Sequence, residues 1–163
     1  ADAAAAAPPA APLPAFRSEL CACLPRAIAE ATTAMEAEHM AGFERNGEPF
    51  AATVKRWDLT AHYATAADGA LLGFAIVGAE GRGAAAKVFV HELHVAADAR
   101  RRGVAKALLE LAERSAIGRN GPPALELNVH AANADARAAY ERLGFAHTSS
   151  HERGRVLVMR RKR

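Results

Sequence analysis

Three segments stand in an order that constrains the fold more than any other feature of the chain. A strand-like run over 86–95 (AKVFVHELHV) is followed by a helical stretch over 103–117. A second strand-like run, LELNVH over 125–130, closes the series. A helix between two strands is a crossover, and a crossover joins parallel neighbours with a right-handed turn. In the helix, Val104, Leu108, Leu111, Ala112 and Ser115 follow the 3.6-residue period, with Arg114 in the last turn and Gly118 just past it. Upstream the texture is different. Segments 61–66 and 71–77 are separated by the turn signal Asp68-Gly69, and Gly81-Arg82-Gly83 precedes the long run. Leu72, Phe74 and Ile76 alternate, which assigns them to one face. These hairpins predict an antiparallel meander feeding one parallel pair. Helix 134–143 and a closing strand at 156–159 complete a single mixed α/β (α+β) domain. Its sheet is mostly antiparallel and strongly twisted, with a central parallel pair and helices on both faces.

The N-terminal third is less regular. Leu20, Leu24, Ile28 and Met35 predict a helix over 18–37, which Pro25 would divide in two unless it fell in the first turn. Gly42, Asn46-Gly47 and Glu48-Pro49 mark turns, and a short helix or loop then leads to Trp57. Residues 1–15 are Ala/Pro-rich without a basic start, so they are expected to be a tail or linker rather than a secretion signal; 16–163 is the domain. Only 6% of the chain is aromatic, so Leu, Val, Ile and a few Phe must fill the core. Nothing approaches the roughly 18 apolar residues of a membrane helix. Cys21 and Cys23 are too close for an easy disulfide and nothing completes a metal site with them; reduced thiols fit a cytoplasmic or nuclear protein. A net charge of +3 does not imply direct nucleic-acid binding. Much of the excess sits in Arg100-Arg101-Arg102 and in Arg160-Arg161-Lys162-Arg163, the latter expected to be a solvated terminus.

Two strings carry chemistry. At 100–106 a loop opens a helix at Gly103, whose first N–H groups have no intrahelical partner and point, with the positive end of the dipole, at what precedes them. Gly103 and Ala105 leave room for a ligand to reach the backbone around Val104, and Arg100, Arg101, Arg102 and Lys106 supply charge. A pyrophosphate suits that arrangement. It is neither a Walker A loop nor G-x-G-x-x-G, so triphosphates and dinucleotides fit less well. In the second string Asn133 caps a helix, Asp135 favours its first turn, and Gly144 can take the left-handed C-cap before Phe145, which begins the next strand. Ala136, Tyr140 and Leu143 share a face, which leaves Tyr140 equally open to a packing role.

Arg100-x-x-Gly103-x-Ala105, followed by Asn133-x-x-Ala136-x-x-x-Tyr140-x-x-x-Gly144-Phe145, resembles the paired motifs of the GCN5-related N-acetyltransferases. The resemblance spans about 57–163, with Ala105 where glycine is commoner. It implies acetyl-CoA as co-substrate, lying where the strand ending at Val95 splays from 125–130. Backbone groups of Leu93, His94 and Val95 would bond the pantetheine arm, and the amides of 101–106 would take the pyrophosphate. Asn133 would face the cofactor, and the Tyr140 hydroxyl would protonate the departing thiolate. The amine would attack directly in a ternary complex; neither cysteine lies near either motif, so a covalent route has no obvious nucleophile.

An attacking amine must be neutral. A lysine amine is only on the order of 0.1% neutral at pH 7, whereas an α-amine is neutral to tens of per cent. Glu92 is the leading base, acting directly or through water, with a strand carboxylate paired to arginine as the alternative; His94 and His130 are rivals. Protein N-terminal acetyltransferases have a strand similar to 125–130, with Glu or His where this chain has Asn128, which moves weight to Glu92. Their histone-directed D type is similar at Glu92, at the basic loop and at Lys55-Arg56-Trp57-Asp58-Leu59-Thr60. That resemblance implies a pocket for a protein N-terminus such as a histone tail, lined by Trp57, Asp58, Glu92 and Asn128; a core-anchoring role for Trp57 stays open. The alternatives are a small-molecule or lysine acetyltransferase, and an acyl-CoA-binding domain without turnover.

Overall fold

The computed structural model describes residues 12–41, 48–82, 85–116 and 124–161. The strands are β1 (Ala15–Leu20), β2 (Leu59–Thr65), β3 (Leu71–Glu80), β4 (Lys87–Val95), β5 (Ala124–His130), β6 (Ala146–His151) and β7 (Val156–Arg161). The helices are α1 (Arg26–His39), α2 (Phe50–Thr53), α3 (Val104–Ser115) and α4 (Ala134–Arg142). One seven-stranded sheet runs in the order β1-β2-β3-β4-β5-β7-β6. Every adjacent pair is antiparallel except β4 and β5, joined through α3.

Two cores flank the sheet. On one face Leu108, Leu109 and Ala112 of α3 pack on Val88, Val90, Leu125 and Leu127. Full burial of each of the two leucines contributes about 2 kcal/mol. On the other, Met35 of α1 and Phe50 of α2 cover Tyr63, Phe74 and Ile76.

Three expectations change. Residues 18–20 belong to strand β1, not to a helix, because their backbone completes the β2 ladder. The helix begins only after Pro25, whose fixed φ suits a helix start. A strand was expected to begin at Phe145, and β6 starts one residue later; AHTSSH has no alternation, since all of it is exposed on the sheet edge. Leu72 does not share a face with Phe74 and Ile76. The β2–β3 register slips at Ala64/Thr65, so Leu72 packs with the α3 core while Phe74 and Ile76 stay with α1. Finally, Arg160 and Arg161 are only partly exposed and both meet carboxylates, while Lys162 and Arg163 lie outside the described residues. Arg160 Nε lies 3.8 Å from Glu126 Oε2, and Arg161 donates to Glu113 Oε1 at 2.8 Å and to the Leu143 carbonyl at 3.0 Å. That buried pair ties β7 to α3 and to the end of α4. The turn signals at Asn46-Gly47, Gly83, Gly118 and Pro122-Pro123, and residues 1–11, lie outside the described residues.

Candidate active site

Pairing between β4 and β5 stops at Val90–Leu127, although β4 runs on to Val95 and β5 to His130. Beyond that point the two parallel strands splay. The β5-facing side of residues 91–95 is left without a ladder partner, and a cleft of about 1570 Å³ opens there. The walls include Leu93, His94, Val95, Arg100, Arg101, Gly103, Val104, Ala105 and Lys106 on one side, and Asn128, Asn133 and Tyr140 on the other. Arg102 is exposed and is not among the lining residues.

A bulge decides what β4 presents to this cleft. Ile76 pairs with Glu92 and Val77 with Val90, so His91 is the extra residue. One inserted residue reverses the alternation. Val88 and Val90 therefore enter the α3 core, while Glu92 and His94 turn toward α1. A strict period-two reading puts Val90 and Glu92 on one face; the bulge separates them and delivers Glu92 to the cleft.

The α3 end of the cleft is built for an anion. Gly103 precedes the helix at φ +80°, and no side chain caps the first turn. A Cβ on Gly103 would meet nothing within 4 Å. Arg101 is also left-handed, at φ +59°, a conformation that costs a non-glycine residue about 1 kcal/mol or more. Two left-handed residues ahead of uncapped helical amides make a concave set of donors. The open helix terminus and the vacant strand edge fit an extended phosphorylated thioester: the amides of 101–106 would hold its diphosphate and β4 its amide-bearing arm.

On the opposite wall Asn133 does not point its amide into open space. Its Oδ1 accepts from the Ala136 N–H at 3.1 Å and so caps α4. Tyr140 is half-buried, edge-on to Phe145 at 5.9 Å, and no hydrogen bond to its hydroxyl occurs among the described residues. Burial, with Glu92 as the second cause, pushes its hydroxyl up to about 12.

Glu92 is 8% exposed and accepts from His94 Nε2 at 2.8 Å. His94 stacks on Phe74 at 5.1 Å, and its Nδ1 lies 3.0 Å from His39 Nδ1. His39 Nε2 lies 3.2 Å from the Arg100 guanidinium, which also donates from Nε to the Val95 carbonyl at 3.1 Å. The sequence singled out Glu92, His94 and Arg100; His39, the last residue of α1, carried no signal. Also unforeseen is the β6–β7 connection. Glu152, Arg153 and Gly154 are all left-handed, and His151 and Glu152 line the cleft.

Other sequence candidates sit elsewhere. Trp57 is 70% exposed beside Cys21, Leu24 and Val54, so it neither anchors a core nor lines the cleft. Asp58 pairs with Arg56 and is likewise outside the cleft lining. His130 lines the cleft near Asn133, and its Nδ1 accepts from the Ala132 N–H at 3.3 Å. Cys21 is buried, and its thiol is pushed up to about 11, chiefly by burial.

A splayed parallel pair, an uncapped glycine-led helix and a buried carboxylate facing a tyrosine define an acyl-CoA-dependent N-acyltransferase. The chain belongs to the acetyltransferase (GNAT) family, whose model matches residues 24–145, and its co-substrate is acetyl-CoA. Among solved structures, nourseothricin acetyltransferase is 30% identical over 64% of this chain and 65% of that enzyme, with a TM-score of 0.53. The ribosomal-protein-S18-alanine N-acetyltransferase of Escherichia coli is 23% identical, with 91% and 93% of the two chains covered and a TM-score of 0.64. NAA60 of Arabidopsis thaliana, solved with acetyl-CoA, is 20% identical over 91% of this chain and 97% of that one, also at 0.64. The latter two share the fold. A comparison with curated protein sequences finds no match.

Proposed function

We propose that the acceptor is a protein N-terminal α-amine, acetylated by direct attack in a ternary complex. The observation that carries this reading is the bond from His94 to Glu92. That bond fixes the orientation of the carboxylate, and a carboxylate is a weak base beside an amine. Such a base suits an amine that already loses its proton near neutral pH, as an α-amine does and a lysine does not. In this reading Glu92 takes a proton from the ammonium, directly or through water. The freed nitrogen then bonds to the thioester carbonyl carbon, the carbon–sulfur bond breaks, and Tyr140 stabilises the departing sulfur. The sum is an amide, a thiol and one released proton. The cleft is lined by carboxylates, Glu48, Glu92 and Glu152 among them, and by cations, Arg100, Arg101 and Lys106 among them, so it offers partners to both an ammonium and a diphosphate.

The histone-directed form of this reading leans on Trp57 and Asp58 and gains nothing from where they lie. A small-molecule amine is the second reading, favoured by the 30% identity to nourseothricin acetyltransferase. CoA release against N-terminal peptides, the same peptides blocked at the α-amine, internal-lysine peptides and small amines separates the two. The proposal expects turnover that disappears with the α-amine. Turnover confined to small amines overturns it.

A further inference from the structure

Four side chains link the two ends of the cleft in one hydrogen-bonded series: Arg100, His39, His94 and Glu92. The first link fixes all the others. A guanidinium only donates, so His39 Nε2, 3.2 Å away, must accept and cannot carry a proton. Neutral His39 then holds its proton on Nδ1 and gives it to His94 Nδ1 at 3.0 Å. His94 must therefore carry its own proton on Nε2, which it donates to Glu92 Oε2 at 2.8 Å. Every donor in the series points the same way, and it ends on the carboxylate. His94 consequently has no lone pair to offer an amine, which removes it as a rival base.

The same geometry makes two events mutually exclusive. His39 cannot be protonated at Nε2 while Arg100 donates there, and Arg100 cannot hold that contact while it turns to a phosphate. We propose that His39 and His94 are positioning residues that orient Glu92, and that Arg100 couples them to the cofactor: drawn to the diphosphate, it releases His39 Nε2 to take up a proton. Cofactor loading is then linked to proton uptake two residues away from the base. This rests on the reading that the loop at 100–106 holds the diphosphate.

The groups facing His39 are consistent with that coupling. Its pKa is held below the usual imidazole value by burial first, then by His94 from β4 and Arg100 from the loop before α3; Glu38 on its own helix acts in the opposite sense. Removal of the Arg100 charge therefore raises it. By linkage, whatever makes His39 easier to protonate when CoA binds makes CoA binding take up protons.

Two measurements test this. In the free protein, the His39 imidazole is titrated by NMR in the parent and in Arg100→Leu, a change at an exposed position. The midpoint should rise in the variant; an unchanged midpoint overturns the series. CoA binding is then measured by calorimetry at pH 6.5 in buffers of different ionisation heat, for the parent and His39→Leu. Phosphate monoesters also titrate near pH 6, so the difference between the two proteins is the readout. More protons should be taken up by the parent; equal uptake with intact binding overturns the coupling. Absence of CoA binding in the parent would instead remove the cofactor reading itself, while leaving the NMR result standing. For the positioning role, His94→Phe keeps a ring against Phe74 but cannot donate. It should raise the acidic midpoint of kcat/KM by about one to two pH units, the effect of losing one hydrogen bond to a charged group, and His94→Gln should restore part of it. A uniform fall in rate with no change of midpoint overturns that role.

Discussion

Tyr140→Phe removes one oxygen from the cleft and little else. The ring contact with Phe145 at 5.9 Å survives, and no hydrogen bond to the hydroxyl is lost among the described residues, so the melting temperature should barely move. The effect on rate follows from proton affinities. Burial and Glu92 hold the phenol at about 12, so it stays protonated through the working range. A thiol ordinarily titrates near 8.5, about 3.5 units lower, so complete transfer of the phenolic proton to a thiolate is uphill by roughly 5 kcal/mol. In the proposed mechanism Tyr140 therefore acts mainly as a hydrogen-bond donor to the developing thiolate. A bond to a charged group is worth about 1.5–3 kcal/mol, so kcat should fall about 10- to 100-fold. Because the phenol does not ionise below about pH 11, kcat for parent and variant measured from pH 6 to 10 should trace parallel profiles. An unchanged kcat, or a basic limb below pH 10 that vanishes in Tyr140→Phe, would refute the reasoning.

Three further outcomes are expected. Gly73→Ala would place a Cβ 2.8 Å from the His94 carbonyl oxygen and 3.2 Å from Val104 and Val95 side chains, so overpacking should cost about 1–3 kcal/mol, read as a melting temperature lower by several degrees. His62 is fully buried and its pKa is lowered to about 4 by burial, so the unfolded chain binds the extra proton between about pH 4 and 6.5. Stability should therefore decline by on the order of 3 kcal/mol as the pH falls through that window, and urea titrations of His62→Gln should show a smaller decline. Cys23 is exposed and Cys21 buried with a raised pKa, so a thiol reagent at pH 8 should label Cys23 rapidly and Cys21 only on unfolding.

Much of the fold was legible because its strongest signals are periodic. The order β4–α3–β5 follows from two apolar runs around a 3.6-period helix, and the glycine at the α3 start and the Asn133 cap announce the proposed cofactor end through local backbone chemistry. What was hidden depends on pairing rather than on period. No residue type announces the bulge at His91, yet it turns Glu92 out of the α3 core and into the cleft. The glycine stop before Phe145 announced the start of β6, but its residues are exposed throughout, so no alternation marks its extent. His39 lies 55 residues from His94 in the chain, and only the packing of α1 on the sheet brings the rings to 5.2 Å. Arg160 and Arg161 suggested a solvated tail because their partners, Glu126 and Glu113, come from distant elements.

In the proposed binding mode the amides around Gly103 and the open edge of β4 grip CoA together. Backbone amide shifts followed by NMR while CoA is added test that directly. The largest changes should fall at residues 101–106 and 93–95, with smaller ones at Tyr140. CoA that leaves both segments unmoved, or that perturbs a different surface, would contradict it.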